Sequence, residues 1–363
     1  MKNQDSMHLI FQQGIEKDRN LKMREAQRKR TIIVYFVLVI LIIAGFFINV
    51  CVGSVGISPG DVIATISGNI ADDKLRNIIM GIRIPRTIMT FILGGALAVS
   101  GFLLQTYFAN PIAGPYILGI SSGAKMAVAI TLIFVVGSSG RSSGLMLILA
   151  AFTGALLSTG FIILISSRIK NMAALLAAGI MIGYICSAVT DFLIAFADDS
   201  DIVNLHGWSQ GSFSGADMTG AVYSLTVVGT AFILTMVLSK SLDALRLGEA
   251  YAKSVGVNIT VCRICIILLS SLLAACVTAF AGPVSFIGIA VPFLMRQILK
   301  SSKPIILIPA SFLAGSLFCM FSDLVARTMF APMELNISAV TSLFGAPIVI
   351  YMIVRRNKNN EAS

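Results

Sequence analysis

Residues 109–124 read ANPIAGPYILGISSGA, between two strongly apolar segments. Two prolines and three glycines break the stretch. Proline removes a backbone donor and clashes with the preceding turn, so no helix runs straight through Pro111 and Pro115. Backbone left unpaired at membrane depth is tolerated only where protein buries it or water lines it. What the break rests on, and what it is for, decides the fold.

The rest of the chain sets that question inside a membrane. Of 363 residues, 56% are hydrophobic and 12% charged, with a mean hydropathy of +0.90; a soluble chain carries about 25% charged residues. Apolar runs long enough to cross a bilayer, about 17–25 residues, fall near 31–52, 84–108, 115–136, 145–166, 172–196, 219–239, 261–281, 285–299, 304–325 and 337–354. The expected fold is all-α, a polytopic membrane protein with about ten transmembrane helices. A basic arm (1–30) precedes a transmembrane domain (31–356), and a short tail (357–363) follows. No secretory cleavage pattern precedes the first run.

Lys and Arg give the orientation. Of the 27 such residues, only Lys74, Arg76, Arg83, Arg86, Arg141 and Arg327 fall on the side opposite the arm, and Lys125 falls within a span. By the positive-inside rule both termini are expected in the cytoplasm. The net charge of +10 is then a topology signal, and no nucleic-acid partner is needed to explain it. The cysteines, Cys51, Cys186, Cys262, Cys265, Cys276 and Cys319, sit in or beside apolar segments. Cys262 and Cys265 lack a second C-x-x-C pair, so they read as apolar helix residues, and no metal site or cofactor is expected.

A second interrupted stretch, AGPVSFIGIAVPFLMRQ (281–297), separates runs seven and eight at Gly282-Pro283. Runs 1–5 and 6–10 start in opposite directions, and Gly/Pro-broken segments in both halves are the mark of an inverted-repeat transporter. The inner link 239–260, SKSLDALRLGEAYAKSVGVNIT, alternates Leu242, Leu245 and Leu247 with charged and small residues. It reads as short amphipathic helices at the cytoplasmic surface, suited to docking a partner.

No G-x-x-x-x-G-K-[ST] loop occurs, so ATP hydrolysis is expected from another subunit. Coupling to an ion gradient is the alternative and needs ionisable groups inside the membrane. The candidates are Asp191 and Asp323, near the outer ends of their spans where water can reach, and Lys125. A purely structural membrane protein is a further alternative. His206, beside Trp208 in an acidic outer link (Asp198, Asp199, Asp201, Asp217), reads as a solvated histidine.

Four ordered motifs then carry a resemblance: residues 83–124 (RIPRTIMTFILGGALAVSGFLLQTYFANPIAGPYILGISSGA), 247–259 (LGEAYAKSVGVNI), 279–296 (AFAGPVSFIGIAVPFLMR) and 322–347 (SDLVARTMFAPMELNISAVTSLFGAP). Over about residues 55–356 the chain resembles the FecCD family, permease subunits of ABC importers for iron-siderophores, haem and vitamin B12. The resemblance implies a type II importer permease in the cell membrane. Its partners would be a second permease subunit, identical or not, two ATP-binding subunits and an extracytoplasmic binding protein, all set in membrane lipid. The substrate expected is an iron chelate (siderophore or haem), with vitamin B12 the alternative.

The resemblance also implies residue roles. Arg83, Arg86 and Arg327 would meet acidic residues of the binding protein through charge-assisted pairs, interfacial snorkelling being the other reading. Asn110 and Ile112 would form a cytoplasmic gate, and a second constriction is expected near Asn171 and Met172. Leu245, Leu247, Gly248, Glu249 and Gly256 would couple to the ATPase, the two glycines allowing tight turns. Phe293 stands where the family often has His, Lys125 where a small residue is usual, and the arm lies outside the resemblance.

Overall fold

The segment Ile84–Tyr107 carries apolar or small residues on every face, and a helix of that kind belongs inside. In the computed structural model it forms most of α3 (Asp73–Tyr107), whose most apolar window is 89% buried. The structure describes residues 2–53, 56–68, 72–136, 144–166, 168–169 and 171–361, without the side chains of 2–21, 136 and 355–361. Arg141 and Lys170, assigned from sequence to outer and inner links, lie outside the described residues.

Before α3 come α1 (Lys2–Cys51) and the short α2 (Pro59–Ile66). After it follow α4 (Ile120–Val135), α5 (Gly144–Ser166), α6 (Met172–Ile194), α7 (Asp199–Ser209) and α8 (Met218–Val237). The chain continues through α9 (Ser239–Arg246), α10 (Glu249–Ser254), α11 (Ile259–Ala281), α12 (Ile287–Leu299), α13 (Pro304–Thr328) and α14 (Ile337–Glu361). Among the described residues there is no strand. Polar side chains start several helices by accepting backbone N–H bonds: Asn171 from Ala173, Asp217 from Gly220 and Asn258 from Val261.

Among the described residues, eight helices are long and apolar enough to cross a membrane. The shorter apolar helices α4 and α12 complete the ten runs read from sequence. At 1.5 Å per residue α4 reaches about 24 Å and α12 about 20 Å, short of the ~30 Å hydrocarbon core. Both start late. Each follows a Gly-Pro step and begins at a left-handed residue, Gly119 (φ 73°) for α4 and Phe286 (φ 64°) for α12. The same device thus opens the short helix of each half.

Helix α3 packs against α13, α11, α12 and α8; α11 leans on α5, and α4 sits between α5 and α6. Helix α1 is peripheral: only 6% of its apolar window is buried, and it rests mainly on α13. It carries arm and first span as one continuous helix. At its arm end Gln27 donates to the Lys300 carbonyl and Arg30 to that of Ile298, around the C-terminal end of α12. The last turn of α3 and the pair α9–α10 share this arm end, while Arg83, Arg86 and Arg327 lie at the far end.

Candidate functional site

The two breaks are held by each other. Pro292 has no N–H to give to the Gly288 carbonyl one turn earlier. That orphan receives Gln105 Nε2 from α3 at 3.3 Å, and the same nitrogen donates to the Ile289 carbonyl at 3.0 Å. Tyr116, just after the first break, accepts the Val284 N–H of the second at 3.2 Å. Contact is close because side chains are missing: a Cβ on Gly101 would lie 1.7 Å from the Gly288 oxygen, and one on Gly288 2.9 Å from Pro115 Cδ. A narrow void of about 60 Å³ remains between Leu97, Gly114, Pro115 and Val284–Ile289. Gly114–Leu118 therefore climbs back beside the body of α3, deeper than the sequence reading of a mouth-level turn ending at Pro115.

Asn110 and Ile112 stay at the turn itself. The Asn110 side chain accepts the Ile112 N–H at 3.1 Å, and its carbonyl accepts that of Ala113 at 3.1 Å, the self-contained turn that short polar side chains build. Ile112 is half-buried against Ala290, Val349, Met352 and Phe293 of its own chain. Phe293, the departure from the expected histidine, thus extends an apolar cluster.

A cavity of about 550 Å³ at the arm end gathers what lay scattered along the sequence. Its lining takes Ala109 and Pro111 from the turn, Met172 from the start of α6, and Leu245, Gly248 and Glu249 from the α9–α10 link. Three cations join them. Arg263 pairs with Glu249, Arg246 with Asp243 at 3.6 Å, and Arg296 stacks over the Phe102 ring at 5.4 Å. The Oε1 of Gln105 and the Nε of Arg263 are buried there without a partner. The sequence marks Arg246, Arg263 and Arg296 only as inner charges; the unread signal is Gln105, a polar residue inside the most deeply buried span.

Not every expected residue reaches the cavity. Asn171 is an exposed cap of α6, and Asn110, Ile112, Leu247 and Gly256 stand outside the lining. Gly248 (φ 115°) and Gly256 (φ 84°) sit at the turns expected of them. Leu242 and Ala252 are fully buried and anchor α9 and α10. Leu245 points into the cavity, whereas Leu247 is 61% exposed and shares that exposure with Tyr251 and Val255. The open apolar surface of the link is these last three, two of which the sequence reading missed.

The far-end arginines differ most from expectation. Arg83, Arg86 and Arg327 are buried, not surface-exposed, and already engaged. Arg86 meets Asp323 with Nε at 3.1 Å and Nη2 at 2.9 Å, and meets Glu334 with Nη1 at 2.9 Å. Arg327 bonds the Asn49 side chain at 2.9 Å and approaches Asp323 at 3.7 Å; Arg83 donates to the carbonyls of Val50 and Cys51. Together they tie α1, α3 and α13. Asp323, read from sequence as an acid within reach of water, is 1% exposed. Arg86 and Arg327 supply the paired cations that a buried acid needs. Asp191 and His206 are exposed, and Lys125 is half-buried without an ion pair among the described residues.

The profile described as the FecCD transport family matches residues 40–355. The chain is 32% identical over 288 residues to the hemin transport system permease protein HmuU of Yersinia pestis, covering 79% of this chain and 86% of that protein. It is 30% identical over 335 residues to the vitamin B12 import system permease protein BtuC of Salmonella typhi, covering 92% and 99%. A solved metal-chelate type ABC transporter in an inward-facing conformation superposes with a TM-score of 0.78 at 26% identity, over 88% of this chain and 98% of that one.

Proposed function

The chain belongs to the FecCD transport family and is the permease subunit of a type II ABC importer, and we propose that it moves an iron chelate, siderophore or haem, from an extracytoplasmic binding protein into the cytoplasm. The arm-end cavity carries the mechanical part of this reading, because it brings the α9–α10 link against the turn after α3. A push on the link by an ATP-binding subunit then reaches Ala109, Pro111 and Met172 through one shared space. The arm end is the cytoplasmic end in this reading, in keeping with its Lys and Arg. Asn110–Ile112 and Asn171–Met172 close the pathway there, between two permease subunits.

The iron-chelate assignment draws on a hemin permease and a metal-chelate transporter among the similar proteins. The nearly full-length likeness to a vitamin B12 permease favours a corrinoid as the second reading. Ligand binding by the cognate binding protein separates them: retention of a ferric siderophore or haem but not cobalamin is expected, and the reverse selects the second reading. The arginines' share in docking is indirect. They fix the far-end surface, including the partly exposed Glu334, on which the binding protein sits.

Two predictions test the arm-end mechanism. Leu247→Asp with Val255→Asp places two charges on the exposed face of the link and leaves its buried anchors intact. Recovery of the ATPase with the purified permease should fall at least tenfold, as burying even one unpaired charge at an interface costs several kcal/mol; full recovery with a folded variant moves the docking site elsewhere. Cysteine at Ile112, in a background freed of the six native thiols, should crosslink two permease subunits, which requires Cα atoms within about 7 Å. The crosslink should stop uptake and change with nucleotide state. If it forms in no state of an active transporter, the turn is structural only.

A further inference from the structure

The arm ends in a charged cleft that the transport mechanism does not use. Arg24, Gln27, Arg28, Thr31 and Ile32 of α1 face Lys303 and Ile306 at the start of α13, around a space of about 460 Å³. Lys29 and Lys300 stand close by in sequence. The one acid within residues 22–32 is Glu25, and residues 296–306 hold none. Neither Arg24, Arg28 nor Lys303 pairs with a carboxylate among the described residues. Helix α13 begins there without a side-chain cap, so the positive end of its dipole adds to the same field. The cleft also has an apolar wall: Ile32 is exposed, and below it Ile33 and Phe36 continue the open face of α1.

From this juxtaposition we propose that the cleft binds the headgroup of an anionic phospholipid in the arm-end leaflet. Its phosphate lies between Arg24, Arg28 and Lys303, and its acyl chains run along Ile32, Ile33 and Phe36. The combination of cations and apolar wall selects this occupant. A free anion gains nothing from Ile32 and Phe36, and a zwitterionic lipid brings no net charge to the cations. Clusters of Lys and Arg just outside a membrane helix attract anionic lipid in this way. The bound lipid adds to the tie between α1 and α13, which otherwise meet near this end through the Tyr35 hydroxyl donating to the Ile306 carbonyl at 2.7 Å.

The test uses the full transporter with its ATP-binding subunits. After exposure to equal amounts of phosphatidylglycerol and phosphatidylcholine, retained lipid is counted by native mass spectrometry. The wild type should retain phosphatidylglycerol in preference. Arg24→Gln, Arg28→Gln and Lys303→Gln together should weaken that retention roughly a hundredfold, since each basic residue near an anionic surface is worth about a factor of five. Arg24→Lys with Arg28→Lys, which keeps the charge, should retain the lipid. Glycerol phosphate, a headgroup without chains, should not compete; competition would make the site one for free phosphate and overturn the lipid assignment. Equal retention of the two lipids, or unchanged retention by the triple variant, overturns it too. If the triple variant does not assemble, Lys303→Gln alone should still lower retention about fivefold, and no change there is equally fatal.

Discussion

Asp323→Ala should destabilise the permease by about 3–5 kcal/mol, the cost of stranding a buried charge without its partner. The carboxylate is 1% exposed and takes two nitrogens of Arg86 while facing Arg327. Removing it leaves the buried Arg86 and Arg327 guanidinium groups, with Glu334 still paired to Arg86. Thermal unfolding in detergent reads the loss directly. The double variant Asp323→Leu with Arg86→Leu should recover much of it, because removing both charges also removes their desolvation cost. A loss below 1 kcal/mol for the single variant would mean that water reaches the cluster, as at an exposed pair. Charge reversal at these arginines consequently reports on folding before it reports on binding-protein docking.

Gly101→Ala should be nearly as damaging. Alanine in a helix is favoured over glycine by up to about 1 kcal/mol, so in open space the change would help. Here the new methyl would lie 1.7 Å from the Gly288 oxygen, a backbone atom. No rotamer relieves that contact; α3 and α12 must move apart, and the bonds from Gln105 to Gly288 and Ile289 go with them. Overpacking costs about 1–3 kcal/mol where side chains can yield, and more where they cannot. A net loss of about 3 kcal/mol in unfolding measurements is expected, with transport lost in parallel. Gly160→Ala on α5 is the control, since its Cβ would meet nothing within 4 Å. If both variants behave alike, the close approach is not what holds the breaks.

The ten helices were legible because membrane length and apolarity are local properties, readable in one window at a time. The breaks at Pro111–Pro115 and Gly282-Pro283 were legible too, since proline and glycine punctuate locally. What the breaks rest on was not. Tyr116 and Val284 are 168 residues apart, and nothing near either one names the other. The charge rule put Arg83, Arg86 and Arg327 at one end of the molecule but says nothing of depth, so their burial against Asp323, Glu334 and Asn49 could not be read. For the same reason Leu245 and Leu247 looked equivalent, although one lines the cavity and the other faces out. The family resemblance supplied partners and roles that periodicity alone does not contain.

The dependence of each break on the other bears on how the chain is made. Pro115–Leu118 leaves the ribosome long before Val284 and Gly288 exist. Until then this single 3₁₀ turn, which pairs only part of its own backbone, lacks its eventual neighbour, and hydrocarbon offers no hydrogen bonds. The first five spans therefore cannot settle into lipid as a finished unit. Residues 113–119 must wait in water or in the shelter of the insertion machinery until the second half arrives, and the two halves mature together.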